Sequence, residues 1–147
     1  MSDSLSESML IDCSVSPMIT GRSIRPENQI SSAFHGQMVW DSTKIELFLA
    51  EEQKVEPWIK GHDLKKKLEG KVVLPANVLD WLLQPENQHH IPVSWAGKAT
   101  FFWGTIYRDS GRYAVVRFLN WYGRSWGWDD YWLGHKFRSC YPAALAS

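Results

Sequence analysis

Three runs near the C-terminus, KATFFWGTIYR (98–108), RYAVVRFLNWY (112–122) and SWGWDDYWL (125–133), are rich in aromatic and β-branched residues and lie only a few positions apart. Strands joined by such short turns must lie antiparallel and adjacent, so this part of the chain predicts a β-meander. Asp109-Ser110-Gly111 reads as a three-residue turn with glycine in the left-handed position. That register sets Tyr107 opposite Tyr113, Trp103 opposite Arg117 and Phe101 opposite Leu119. A two- or four-residue loop around Gly123-Arg124 then sets Trp121 opposite Trp126 and Leu119 opposite Trp128, because both lengths keep the same parity.

Alternation sorts the meander into two faces. One collects Phe101, Trp103, Tyr107, Tyr113, Arg117, Leu119, Trp121, Trp126 and Trp128; the other collects Phe102, Ile106, Ala114, Val116 and Phe118. The second set has the residues of an ordinary core and is expected to pack beneath a helix such as residues 75–83. The first set is broad, amphipathic rings around an arginine, which is how a binding surface is built. Arg117 beside Trp103 is placed for a cation–π contact, worth about 0.5–2 kcal/mol. A ring face wholly covered by the rest of the chain is the plain alternative, and partial cover that leaves rings at one edge is the expectation adopted here.

Upstream, QMVW, the turn formers Asp41-Ser42-Thr43 and KIELFLA read as a β-hairpin with Ile45, Leu47 and Leu49 turned inward. HDLKKKLEG reads as a short helix ending at Gly70, with Lys65, Lys66 and Lys67 on its solvated side. Pro75 suits the first turn of a second helix, PANVLDWLLQ, whose Val78, Leu79, Trp81, Leu82 and Leu83 form a broad apolar arc opposite Asn77 and Asp80. Between helix and meander, PENQHHIPVSWAGK is a loop whose Trp95 plugs onto the core. Residues 1–33 hold nine serines and few large apolar side chains and read as a flexible arm with at most a short ordered piece, and 142–147 as an unstructured tail. The expected architecture is therefore one small α+β domain over residues 34–141. It has an N-terminal β-hairpin, two short helices and a C-terminal aromatic-rich antiparallel meander.

Composition narrows what such a domain does. With 44% hydrophobic and 22% charged residues, 147 residues suffice for one well-buried core, and no run approaches a membrane span or a secretory signal, so a cytoplasmic location is expected. Of 16 basic and 16 acidic residues, positions 1–97 hold 9 and 13 while 98–147 hold 7 and 3, so the halves carry −4 and +4. Five of those seven cations are arginines, which fork onto anions and stack on rings.

Motifs for catalysis are lacking. Asp129 and Asp130 are neighbours on a strand and face opposite ways, so they do not flank one substrate. His35, His62, His89, His90 and His135 match no ligand spacing, Cys13 and Cys140 belong to no CxxC pair, and no nucleophile elbow or phosphate loop is present. No catalytic residue, metal or cofactor is assigned.

The function expected is a non-catalytic binding module of adaptor or inhibitor type, engaging another protein through the aromatic and arginine-bearing face. Trp, Tyr and Arg are the types enriched at interface hot spots. Its residues are Trp103, Tyr107, Tyr113, Arg117, Trp121, Arg124, Trp126, Trp128 and Asp130. Single-stranded nucleic acid stacking on the same rings is the alternative, carbohydrate binding a third, and a homodimer through the ring face a further form of the first.

Overall fold

A computed structural model of the chain describes residues 9–15, 17, 25–29 (backbone only), 36–55 and 57–146. In chain order the elements are β1 (Leu10–Asp12), β2 (Arg25–Gln29), β3 (Gln37–Val39), β4 (Ile45–Phe48), α1 (Glu51–Val55), β5 (Trp58–Lys60), α2 (Gly61–Lys67) and α3 (Ala76–Leu83). Then follow β6 (Thr100–Phe101), β7 (Thr105–Arg108), β8 (Ala114–Trp121), β9 (Trp126–Trp132), β10 (Lys136–Arg138) and β11 (Ala143–Ala146). Short 3-10 turns occupy Ser42–Lys44, Pro85–His90 and Val93–Gly97. No helix among the described residues is long and apolar enough to cross a membrane.

The α+β class and the C-terminal meander are those the sequence predicts. A seven-stranded sheet runs β2-β7-β8-β6-β11-β4, with β9 along the other side of β8. The β8–β9 pairing is the one the alternation requires: Trp121 faces Trp126, Leu119 faces Trp128 and Arg117 faces Asp130, across a four-residue loop closed by Tyr122 N–H donating to the Ser125 carbonyl at 3.0 Å. Gly123, at φ +91°, supplies the left-handed residue of that loop.

The turn before β8 is longer than expected. Arg108 pairs with Ala114 and Tyr107 with Val115, so the loop is 109–113, and the residue at positive φ is Arg112 (+67°) rather than Gly111. The Asp109 side chain organises it, accepting from the N–H groups of Gly111 and Tyr113, each at 2.9 Å. Two extra residues preserve parity, so Tyr107 stays on the Arg117 side. The larger departure lies at 102–104, between β6 and β7. There Phe101 pairs with Phe118 rather than facing Leu119, which is the interruption that swaps the faces of Phe101 and Phe102 and carries Trp103 away from Arg117.

Gly104 explains that break. Its N–H donates to the Leu74 carbonyl at 2.8 Å rather than to β8, and a Cβ there would stand 2.6 Å from Pro75 N and 2.7 Å from Leu74 C. Two backbones cross where only glycine fits. Gly104→Ala is accordingly expected to cost about 1–3 kcal/mol, read as a lowered urea midpoint, because neither backbone can yield as a side-chain tip would. The same crossing anchors α3, whose first N–H (Ala76) donates to Thr105 Oγ1 at 3.0 Å, doing the work of the side-chain cap that Pro75 lacks.

Both faces of the sheet are covered. α3 lies over the face bearing Phe102, Leu119, Trp126 and Trp128, packing Val78, Leu79 and Leu82 there, and Ala76 meets Tyr107 and Val115. It therefore roofs the ring face, not the aliphatic one that the sequence assigned to it. The opposite face, with Phe101, Trp103, Ile106, Val116 and Phe118, is closed by Leu64 of α2, by Leu68 at its C-cap and by Ile59 and Phe137 from the antiparallel β5–β10 pair. Trp95 is buried edge-on against Trp40, ring centroids 6.1 Å apart, as its plug role requires.

Three sequence expectations change at the chain ends. The strands around QMVW and IELF form, but not as partners of each other: β3 pairs with β1 and β4 with β11. Within the serine-rich arm, Leu10–Asp12 is strand with Ile11 buried, held down by Asn77 Nδ2 donating to the carbonyls of Val15 (2.9 Å) and Asp12 (3.3 Å). The expected flexibility of the rest of the arm falls mostly outside the described residues. The presumed tail is β11, a buried strand parallel to β6 and antiparallel to β4.

Candidate functional site

Tryptophan rings on β8 and β9 alternate inward with the pleat, and α3 is too short to cover all of them. What results is a cleft of about 370 Å³ between the C-terminal half of α3 and the start of β9, lined by Asp80, Leu83, Gln84, Gln88, Arg117, Trp126, Gly127 and Trp128. Trp126 and Trp128 are half-buried walls, and Trp121 stands beside Trp126 with ring centroids 5.2 Å apart.

At the cleft's base Arg117 is 1% exposed. Its guanidinium lies 4.1 Å from the Tyr107 ring centroid and 4.2 Å from that of Trp128, and its Nε donates to Asp130 Oδ1 at 3.2 Å. A charge this buried persists only when paired, and here two rings and a carboxylate do so. The expected Arg117–Trp103 contact is replaced by one with Tyr107 and Trp128, because the break at Gly104 puts Trp103 on the other side of the sheet. Burial pushes the Tyr107 phenol far above its ordinary range; the Arg117 charge opposes this, and the charges of Asp80 and Asp130 add to it. Arg117 is thus a fixed part of the floor, neighboured by two acids, rather than a hand extended to an anion.

The residues singled out from sequence divide into three groups. Arg117, Trp121, Trp126, Trp128 and Asp130 come together at the cleft, with Tyr107 buried beneath the guanidinium. Trp103 is wholly buried against Phe137, ring centroids 5.3 Å apart, and belongs to the core. Tyr113 and Arg124 are exposed in turns: Arg124 at the tip of the β8–β9 loop, Tyr113 at the far end of the hairpin, where it meets Trp132 edge-on at 4.8 Å. Sequence reasoning missed Asp80, Leu83, Gln84 and Gln88. Asp80 was legible as an acid interrupting an apolar helix, but which face that helix would cover was not.

Asp129 and Asp130 face opposite sides as alternation demands. Asp129 Oδ1 accepts from the Asp130 N–H at 2.7 Å and the residue is exposed, whereas Asp130 is spent on Arg117. Among the described residues no three His, Cys, Asp or Glu side chains converge in a way that can hold a metal ion. His89 and His90 lie 4.0 Å apart, and His90 stacks on Trp81 at 5.7 Å; burial, followed by the charge of His89, lowers its pKa. Burial and the neighbouring Asp12 charge raise the Cys13 thiol to about 11, which keeps it protonated and unreactive at neutral pH. No protein-family model, curated protein or solved structure matches the chain.

Proposed function

We propose that the chain is a non-catalytic binding module whose cleft between α3 and β9 receives a side chain of a partner protein. The observation that carries this reading is the half-buried pair Trp126 and Trp128 lining a concavity at one end of an otherwise covered sheet, with half-buried Trp121 packed on Trp126. Large rings left partly in water beside a pocket are what interface anchors use, since they bring apolar area with little side-chain entropy to lose. Two indole walls and the amides of Gln84 and Gln88 suit an insert with an apolar stem and an amide tip.

The alternatives draw less support. Base stacking along the ring face needs several cations beside the rings to follow phosphates; Arg117 is committed to Asp130 under the roof of α3, which leaves Arg124 at the loop tip. Sugar binding would use the same indoles and the Gln84 and Gln88 amides, and no observation favours it over a protein insert. The decisive comparison is Trp126→Ala against the parent chain. The substitution is expected to cost about 1–2 kcal/mol of stability, because the ring is only half-buried, while lowering partner affinity at least about tenfold. A chain that self-associates, and ceases to on the substitution, identifies the partner as a second copy. Unaltered capture and self-association by folded Trp126→Ala protein, or oligonucleotide binding lost with it and with added salt, overturns the reading.

A further inference from the structure

At the opposite end of the β8–β9 hairpin from the Trp126 cleft lies a second concavity of about 270 Å³, whose lining includes His62, Lys65, Arg108, Arg112, Tyr113 and Trp132. Its chemistry differs sharply from that of the first. Three cations and a histidine come from α2, β7 and the 109–113 turn, and none of the described residues lining it carries a carboxylate. The nearest acid in the turn, Asp109, directs its carboxylate to the N–H groups of Gly111 and Tyr113. Two large rings are exposed here, Tyr113 at 54% and Trp132 at 39%, and the Trp132 indole rests on Gly134, where an added Cβ would meet it at 3.0 Å.

Arg112 adds an independent observation. It holds φ +67°, a conformation that costs a side-chain-bearing residue about 1–2 kcal/mol relative to glycine, although the chain places a glycine one position earlier at ordinary φ. Strained positions of this kind cluster at functional sites. The Arg112 carbonyl accepts from Arg108 Nη1 at 2.8 Å, so the two guanidinium-bearing residues are fixed to each other at the cleft's rim.

From these features we infer that this cleft binds a phosphorylated nucleoside unit, its base on the exposed Trp132 indole with Tyr113 at its edge, and its phosphates on Arg112 and Lys65. Guanidinium and ammonium groups supply charge-assisted hydrogen bonds to phosphate oxygens, and an exposed indole supplies the sequence-tolerant stacking that any base accepts. The cleft admits one such unit, either a free nucleotide or the 5′ end of a single strand. It stands apart from the protein-binding cleft and does not depend on it.

Calorimetric titration of the full chain at low salt tests the assignment with ADP, adenosine, pyrophosphate, and a short oligodeoxyadenylate with and without a 5′ phosphate. ADP is expected to bind about tenfold or more tightly than adenosine or pyrophosphate, each of which keeps only half of the contacts. Arg112→Gly removes the guanidinium and relieves the backbone together, so its melting temperature should equal or exceed that of the parent while ADP affinity falls about tenfold. Trp132→Leu should weaken ADP and leave pyrophosphate unchanged, and Trp126→Ala should alter neither. A 5′-phosphorylated strand preferred over ADP identifies a strand end, and the reverse a free nucleotide. The inference is overturned by absence of ADP binding at low salt, by affinity unchanged in both Arg112→Gly and Lys65→Ala, or by a phosphotyrosine peptide binding more tightly than ADP.

Discussion

Arg117→Met is expected to remove about 3–5 kcal/mol of stability, a large share of the roughly 5–15 kcal/mol that holds a domain of this size folded. The guanidinium is wholly buried, and its loss strands Asp130, whose side chain is 6% exposed, as a carboxylate without its cation. The rings lose as well, because Tyr107 and Trp128 pack on the two sides of the guanidinium. Methionine replaces the aliphatic stem but neither the charge nor the full volume of the guanidinium, so the cost combines a stranded carboxylate with lost ring packing. Replacing both partners, as in Arg117→Met with Asp130→Leu, is expected to recover most of the loss, since neither charge is then buried alone. Urea denaturation of the two single variants and the double variant measures this directly. A loss under about 1 kcal/mol for Arg117→Met would place the pair in the range of solvent-screened ion pairs and remove it as the fixed floor of the cleft.

The parts of this arrangement that sequence discloses are those governed by parity. Trp121, Trp126, Trp128 and Asp130 share a face with Arg117 because β8 and β9 are unbroken strands and their loop has an even number of residues. Parity also survives the unexpected length of the 109–113 turn, so a register wrong by two still puts Tyr107 on the Arg117 side. It fails at Gly104, where a backbone crossing from Leu74 and Pro75 interrupts the strand. Nothing local to FFWGT announces a neighbour 30 positions upstream. The side chosen by α3 was illegible for a different reason: with apolar residues on both faces of a sheet, the pattern does not say which layer covers which. β11 was hidden because Ala143-Ala144-Leu145-Ala146 has no β-branched or aromatic residue, and its small side chains suit a strand pressed between two layers.

Trp103 is where these readings part company most sharply, and Trp103→Ala is expected to cost about 3–5 kcal/mol, the range for emptying a fully buried aromatic site. The ring is 0% exposed and packs with Phe137 among Phe101, Ile106 and Val116, side chains from three strands that cannot collapse inward together. Trp103→Phe keeps part of the ring volume and should cost markedly less. Where Trp103→Ala is still folded, it should engage a partner at the Trp126 cleft with parental affinity, because the sheet itself lies between the two residues. Trp126→Ala should do the converse, losing the partner while losing little stability. Thermal melts and partner titration on both variants therefore cross if one tryptophan belongs to the core and the other to the site. Equal stability losses at the two positions would mean that the ring face is covered from end to end, and that Trp126 is as structural as Trp103.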